Sequence, residues 1–118
     1  MEFREFQELA SQPKEKLMDL VKIISKKEGR QINDNTIETH VASILAISRK
    51  EEDFYNTLKD PKYKNKEVAK KYNYSSDSPI KKYRKLMLLL GITQPKINKD
   101  YNLKTDVNIE DLIASYVT

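Results

Sequence analysis

Lysine and hydroxyl side chains are concentrated in one stretch of the chain, "KNKEVAKKYNYSSDSPIKKYRK", which runs from Lys64 to Lys85. Ammonium and guanidinium groups, serine hydroxyls and the backbone N–H groups at a helix start are the groups that contact phosphate in proteins. The residue types in this stretch and their spacing therefore predict a face that binds a polyanion. We assign nine residues to this predicted face: Lys64, Lys66, Lys70, Lys71, Ser76, Lys81, Lys82, Arg84 and Lys85.

The distribution of charge supports the same prediction. Residues 59–99 hold 12 Lys and Arg against 3 Asp and Glu, whereas residues 1–58 hold 9 against 11 and residues 100–118 hold 1 against 4. A local positive field of this kind favours an anionic partner even though the net charge of the chain is only +4. The plainer alternative is that these lysines only solvate the outer side of a helix.

Other chemistry has little support in the sequence. Without cysteine the chain has no disulfide, thiolate ligand or cysteine nucleophile, which favours a reducing, cytoplasmic location. His40 is the only histidine and borders an apolar helix side, so a structural role is expected. The carboxylates at 51–53 are explained by a helix start, where the dipole favours them. We expect no catalysis, no metal and no cofactor.

No export signal or membrane span is expected. The N-terminal stretch is acidic and amphipathic, and no run approaches the roughly 18 apolar residues of a transmembrane helix. A chain of 118 residues is the size of one domain, so we treat 1–118 as a single unit with a basic segment at 59–99.

Helical periodicity recurs along the chain and predicts an all-α fold, a compact bundle of five to seven short helices. Pro13 and Ser78 mark helix starts, as does one of Asn33, Asp34 and Asn35, which are all competent N-caps, and Gly29 and Gly91 mark helix ends. The predicted helices cover about 3–9, 13–28, 36–48, 50–59, 64–73, 79–91 and a short C-terminal helix at 108–117. An extended piece is expected near 92–107.

The predicted helix at 79–91 is amphipathic. Its apolar side chains fall within an arc of about 120° and its cations fall opposite. Leu88 and Leu89 break this pattern because they lie on the basic side, so they need cover from another element or from a partner. The apolar arc consists of Ile80, Tyr83, Leu86, Met87 and Leu90.

Tyrosines are interleaved with the lysines, an arrangement that single-strand binders use for stacking on bases. We assign Tyr72 and Tyr83 to the core, whereas Tyr63 and Tyr74, both in turns, are candidates for stacking.

The stretch "EVAKKYNYSSDSPIKKYRKLMLLLG", residues 67–91, resembles a helix-turn-helix. Ala69 would lie in the first helix, and Asn73 stands where the turn usually has glycine. Ile80 and Tyr83 would anchor the second helix. The resemblance implies that this second helix presents polar side chains to a major groove. These are Ser76, Asp77, Lys81, Lys82 and Lys85.

A longer stretch, residues 33–92, resembles the SAM-like N-terminal core-binding domain of tyrosine recombinases. Its three parts are "NDNTIETHVASILAISRK", "EEDFYNTLKDPKYKNKEVAKKY" and "SSDSPIKKYRKLMLLLGI". The resemblance implies a helical clamp on DNA, without the catalytic domain of that family. It favours a non-catalytic DNA-binding protein, double-stranded DNA preferred over single-stranded, acting as a regulator or accessory factor of a phage or mobile element.

The alternative from another class is a small helical adaptor or inhibitor that binds a host or phage protein. Phe3, Phe6, the Leu88–Leu89 pair and the C-terminal helix would then be contact surfaces, or sites of self-association. The acidic C-terminal stretch would also suit the basic helix as an intramolecular partner. Steep salt dependence would distinguish phosphate contacts from an apolar interface. Reversal of Lys81, Lys82 and Lys85 to Glu is expected to abolish DNA binding while the fold survives.

Overall fold

A computed structural model describes residues 1–27, 29 and 33–93 of the chain. This part is all-helical and contains six helices, as the sequence predicts. Their bounds are α1 Phe3–Ala10, α2 Lys14–Lys27, α3 Asp34–Ser48, α4 Glu52–Lys59, α5 Asn65–Lys71 and α6 Ser78–Leu89. The predicted helix at 108–117 and the extended piece beyond Thr93 lie outside the described residues.

Local signals explain where the helices begin. Asn33 caps α3, because its side-chain oxygen accepts a hydrogen bond from the Thr36 N–H at 2.8 Å. The Glu2 N–H donates to the Glu5 carboxylate at 3.2 Å in the first turn of α1. Gly29, beyond the last residue of α2, has a φ of +70°, the left-handed conformation predicted for it.

The helices pack around α3 and α6. α3 contacts α1, α2 and α6, and α6 also packs on α4 and α5. Tyr55 joins the first helix to the fourth, since its ring lies 5.3 Å from the rings of both Phe3 and Phe6 and its hydroxyl donates to the Met1 carbonyl at 2.6 Å. Phe3 and Phe6 are therefore core residues, and the prediction that they form an exposed contact surface is wrong.

The connection from α5 to α6 is built on Asn73. This residue has a φ of +62°, which asparagine tolerates better than most side chains. The Tyr74 N–H donates to the Ala69 carbonyl at 2.8 Å, and the Asn73 N–H donates to the Lys70 carbonyl at 3.3 Å. These two bonds form a Schellman motif that ends α5. Asparagine thus takes the conformation that glycine would take in a helix-turn-helix.

The same connection is longer than a helix-turn-helix turn. Residues 72–77 separate the two helices, whereas that motif uses three or four residues. The start of α6 also differs from the sequence prediction by one position. Asp77 is the N-cap, since its carbonyl accepts the first helical bond from the Lys81 N–H at 3.0 Å, and Ser78 is the first helical residue.

The two leucines that break the pattern of α6 have different environments. Leu89 is fully buried in the core, so other elements of the fold cover it, which is one of the two outcomes that the sequence predicts. Leu88 is only partly buried and lies on the side that carries Lys81 and Lys85. Gly91 follows the helix with a φ of +73°, so a second Schellman motif ends α6.

Candidate anion-binding site

Eight of the nine residues predicted to bind a polyanion are exposed, and Arg84 is not. The exposed lysines fall into two groups by their contacts. Lys71 and Lys81 each pair with a carboxylate at 3.7 Å, with Asp53 and Asp77 respectively. The other five make no ion pair with any described residue, and we call them the exposed lysines. They are Lys64, Lys66, Lys70, Lys82 and Lys85.

Arg84 is half-buried, unlike the other eight residues of the predicted face, and its guanidinium is hydrogen-bonded to the protein. Its Nε donates to the Leu58 carbonyl at 3.2 Å, and its Nη2 donates to the carbonyls of Thr57 and Asp60, each at 3.3 Å. Its Nη1 donates to Asn65 Oδ1 at 2.8 Å. Four of the five guanidinium N–H donors are thus used. We call these residues together the Arg84 cluster.

The Arg84 cluster has a clear structural purpose. α4 ends at Asp60, which is extended with a φ of −82° and a ψ of 115°, so no left-handed residue caps the helix. The carbonyls of the last turn of any helix lack partners within it. Arg84 supplies donors to those carbonyls and a positive charge to the negative end of the helix. Burial lowers the pKa of Arg84, and the nearby Asp60 carboxylate opposes this shift.

Lys71 belongs to a network that joins α5 to α4. The Tyr72 hydroxyl makes a short hydrogen bond to the Asp53 carboxylate and lies 3.1 Å from the Thr57 hydroxyl. The pKa of Asp53 is lowered, first by this hydrogen bond from Tyr72 and then by the positive charge of Lys71. The Lys71 ammonium also lies 5.7 Å from the centre of the Tyr63 ring. The Asp53 carboxylate therefore partly neutralises this lysine.

A groove of about 600 Å³ lies beside α6, and we call it the basic groove. It brings the ends of α4 and α6 together with the start of α5. Three cations from α6, namely Lys81, Arg84 and Lys85, lie along it, and Lys59 joins them from α4. None of its lining residues among the described part of the chain is acidic. The other lining residues are Leu58, Pro61, Asn65, Leu88, Ile92 and Thr93.

The four cations of the basic groove differ in how far the protein neutralises them. Lys59 donates to the Met1 carbonyl at 3.1 Å and lies 5.2 Å from the centre of the Tyr55 ring. Arg84 donates to neutral oxygens and has the Asp60 carboxylate nearby, and Lys81 has its ion pair with Asp77. Lys85 has no ionic partner among residues 1–27, 29 and 33–93. The groove therefore carries excess positive charge over an apolar floor.

The prediction that some tyrosines are in the core and others are free to stack holds for three of the four. Tyr63 is 37% exposed, the largest exposure of any bulky apolar side chain that the structure describes, so it stays a candidate for stacking. Tyr72 and Tyr83 pack against the core, and their rings meet Phe54 edge-on at 4.8 and 6.1 Å. Tyr74 also packs there, with its ring 6.0 Å from Phe54, and this contact removes it from the stacking candidates.

Sequence reasoning missed the basic groove and the internal role of Arg84. The signal for Arg84 was present, because "LKDP" ends a helix without glycine and leaves carbonyls that need donors. No local signal pointed to Leu58, Lys59 or Asn65. Their place in the groove depends on packing between helices that are distant in sequence.

The described residues also bear on metal binding and membrane spanning. His40 is buried on α3, and no group of three or more histidine, aspartate or glutamate side chains is placed to hold a metal ion in the part the structure describes. None of the described helices is long and apolar enough to cross a membrane.

Comparison with known proteins returned no match. No family model, no curated protein and no solved structure is similar to this chain. The resemblances to the recombinase domain and to the helix-turn-helix therefore stay predictions from sequence, and the function has to be argued from the residues themselves.

Proposed function

We propose that this protein is a non-catalytic DNA-binding protein that contacts phosphates through the exposed lysines of α5 and α6. The observation that supports this most is that five lysines within 22 residues stay exposed without an ion pair to any described residue. Clusters of this kind raise the local concentration of anions and draw in a polyanion. Ser76, exposed in the connection between the helices, adds a hydroxyl of the type that contacts phosphate.

The proposal favours double-stranded over single-stranded DNA. Of the tyrosines that the structure describes, only Tyr63 is exposed enough to act as a stacking platform, whereas single-strand binders stack successive bases on several rings. A role as regulator or accessory factor of a phage or mobile element is part of the proposal and follows from the recombinase resemblance.

The test is a fluorescence-anisotropy titration of the full chain with random duplex and single-stranded DNA at about 50 and 200 mM salt. Loss of about a hundredfold in affinity between these concentrations corresponds to about four phosphate contacts. A variant with Lys66, Lys70 and Lys82 changed to Glu should lose most of this binding. The matched control changes Lys14, Lys16 and Lys22 of α2, which are equally exposed, and should lose far less.

The opposite result would contradict the proposal. If both charge-reversal variants lose affinity equally, the binding reflects net charge and the exposed lysines are no specific face. If the full chain binds neither DNA at low salt, the lysines only solvate the helices. The basic groove then favours the second candidate, a helical adaptor that binds a protein, because it offers an apolar floor in addition to charge.

A further inference from the structure

The basic groove has the properties of a docking site for an acidic, amphipathic segment. Pro61, Leu88 and Ile92 provide accessible apolar surface, and Lys81 and Lys85 flank it with positive charge. A ligand that only offered phosphate would leave this apolar surface in water, and a neutral apolar ligand would leave the lysines without a partner. The groove therefore suits a helix with one apolar side and carboxylates beside it.

The chain itself contains such a segment. Residues 108–117, "NIEDLIASYV", lie in the acidic stretch of the sequence. At 100° per residue their apolar side chains fall within an arc of about 140°, Glu110 lies at its edge, and Asp111 and Ala114 lie on the polar side. The apolar set is Ile109, Leu112, Ile113, Tyr116 and Val117.

The connection between groove and segment is long enough. Thr93, the last described residue before the segment, itself lines the groove. Residues 94–107 span up to roughly 45 Å when extended, which exceeds the 36 Å longest extent of the fold. A tether of this length holds the segment at a high effective concentration near the groove, so even weak contacts suffice for binding.

We infer that residues 108–117 bind in the basic groove of the same chain, with their apolar side on Leu88 and Ile92 and Glu110 facing Lys81 and Lys85. This inference does not rest on the proposed DNA binding, because it is argued from the shape and charge of the groove, although Lys85 belongs to both surfaces. It assigns the groove an occupant and gives Leu88 the cover that its position on the basic side of α6 requires.

The test uses the absence of cysteine from the chain. A single Ser115→Cys variant of the full chain, on the polar side of the segment, carries a nitroxide spin label. The amide signals of Lys85, Leu88 and Ile92 should lose intensity from paramagnetic broadening, whereas those of Asp19 and Lys22 on α2 should not. Equal intensity at the two sites would overturn the inference.

Two pairs of variants establish the contacts. Leu112→Asp in the labelled chain should abolish the broadening, and the matched change Ala114→Asp, on the polar side, should preserve it. Glu110→Lys should reduce the broadening, and Lys85→Glu in the same chain should restore it. If Leu112→Asp and Ala114→Asp act alike, no apolar docking occurs and the inference fails.

A mixed sample separates the chain's own segment from that of a second copy. Spin-labelled protein without isotope is added to isotope-labelled protein without the spin label. Unchanged groove signals in this mixture support binding within one chain. Broadening at Lys85 and Leu88 in the mixture would show that a second copy supplies the segment, and would overturn the intramolecular form.

Discussion

Around Arg84 the positive charge is enclosed by protein oxygens, whereas at Lys66, Lys70 and Lys82 it is exposed to solvent. Both regions come from the same basic segment. Arg84 serves the end of α4, because its planar guanidinium can donate to several carbonyls at once. A lysine ammonium has no such fork, and the exposed lysines keep their charge for a partner. Equal formal charge thus has two different uses within one helix pair.

Removal of the charge in each region should give the largest difference between the two. Arg84→Met removes the donor to the Leu58 carbonyl and one of two donors to each of the Thr57 and Asp60 carbonyls, and we expect the free energy of unfolding to fall by about 2 kcal/mol. The matched change Lys82→Met should alter it by less than about 0.5 kcal/mol. Urea denaturation of both variants measures the difference. A similar loss of stability in both variants would mean that Arg84 contributes no more to the stability of the fold than Lys82 does.

For DNA affinity we expect the reverse order: substitutions of the exposed lysines should have a larger effect than substitution of Arg84. The variant with Lys66, Lys70 and Lys82 changed to Glu should lose at least about tenfold in affinity, or about 1.4 kcal/mol, and about three units of salt slope. Arg84→Lys keeps the charge but not the fork, so it should lower stability and leave DNA affinity within about twofold. Anisotropy titrations decide this. A large loss of affinity in a folded Arg84→Lys protein would return Arg84 to the binding face.

Substitutions at Asn73 test how far the left-handed backbone conformation in the connection from α5 to α6 contributes to stability. Asn73→Ala should lower the free energy of unfolding by about 1 kcal/mol, because alanine tolerates a φ of +62° poorly. Asn73→Gly should be neutral within about 0.5 kcal/mol. Thermal unfolding followed by circular dichroism compares the two. If glycine destabilises as much as alanine, the asparagine side chain matters and the backbone angle does not.

The smallest effect concerns Lys71, which belongs to neither region because Asp53 pairs with it. The pKa of Asp53 is below its ordinary value of 3.8, so the ionised group stabilises the fold at neutral pH. This contribution is lost as the pH falls from that value through the lower folded pKa. Asp53→Asn should therefore be less stable than the parent at pH 7, and the gap should close in acid.

Acid titration of stability in urea at fixed salt measures this gap. Tyr72→Phe removes the hydrogen bond that lowers the pKa of Asp53 most, so the acid limb of its stability curve should move toward the ordinary value. A gap between parent and Asp53→Asn that persists at the same size in strong acid would contradict the role of the ionised carboxylate.

The helices could be predicted from the sequence because their signals are local. Asn33, Gly29 and Gly91 mark ends that depend on nearby backbone groups alone, and the apolar spacing of α3 does not depend on any other helix. The start of α6 was off by one residue, since Asp77 and Ser78 are both competent caps. The exposed lysines were also predictable, because they lie away from the apolar arcs.

Arg84, Leu89 and the basic groove could not be predicted with the same reasoning. A helical wheel places Arg84 at the edge of the apolar arc, about 40° from Ile80, yet it contains no information about the end of α4, which lies 24 to 27 residues earlier in the chain. Leu89 falls on the basic side of the wheel, but the packing of α6 against α3, α4 and α5 buries a wider arc than its apolar pattern indicates.

Sequence alone was enough to predict that the described part of the chain is all-helical, to place its helices to within about two residues, and to locate the positive charge in residues 59–99. Backbone capping, apolar periodicity and side-chain ionisation act over a few residues, which is why they can be read directly. Which cation is hydrogen-bonded within the protein, and that a groove with apolar lining opens beside the lysines, depend on the tertiary structure. Those outcomes depend on where the end of one helix meets the side of another, and only packing brings these together.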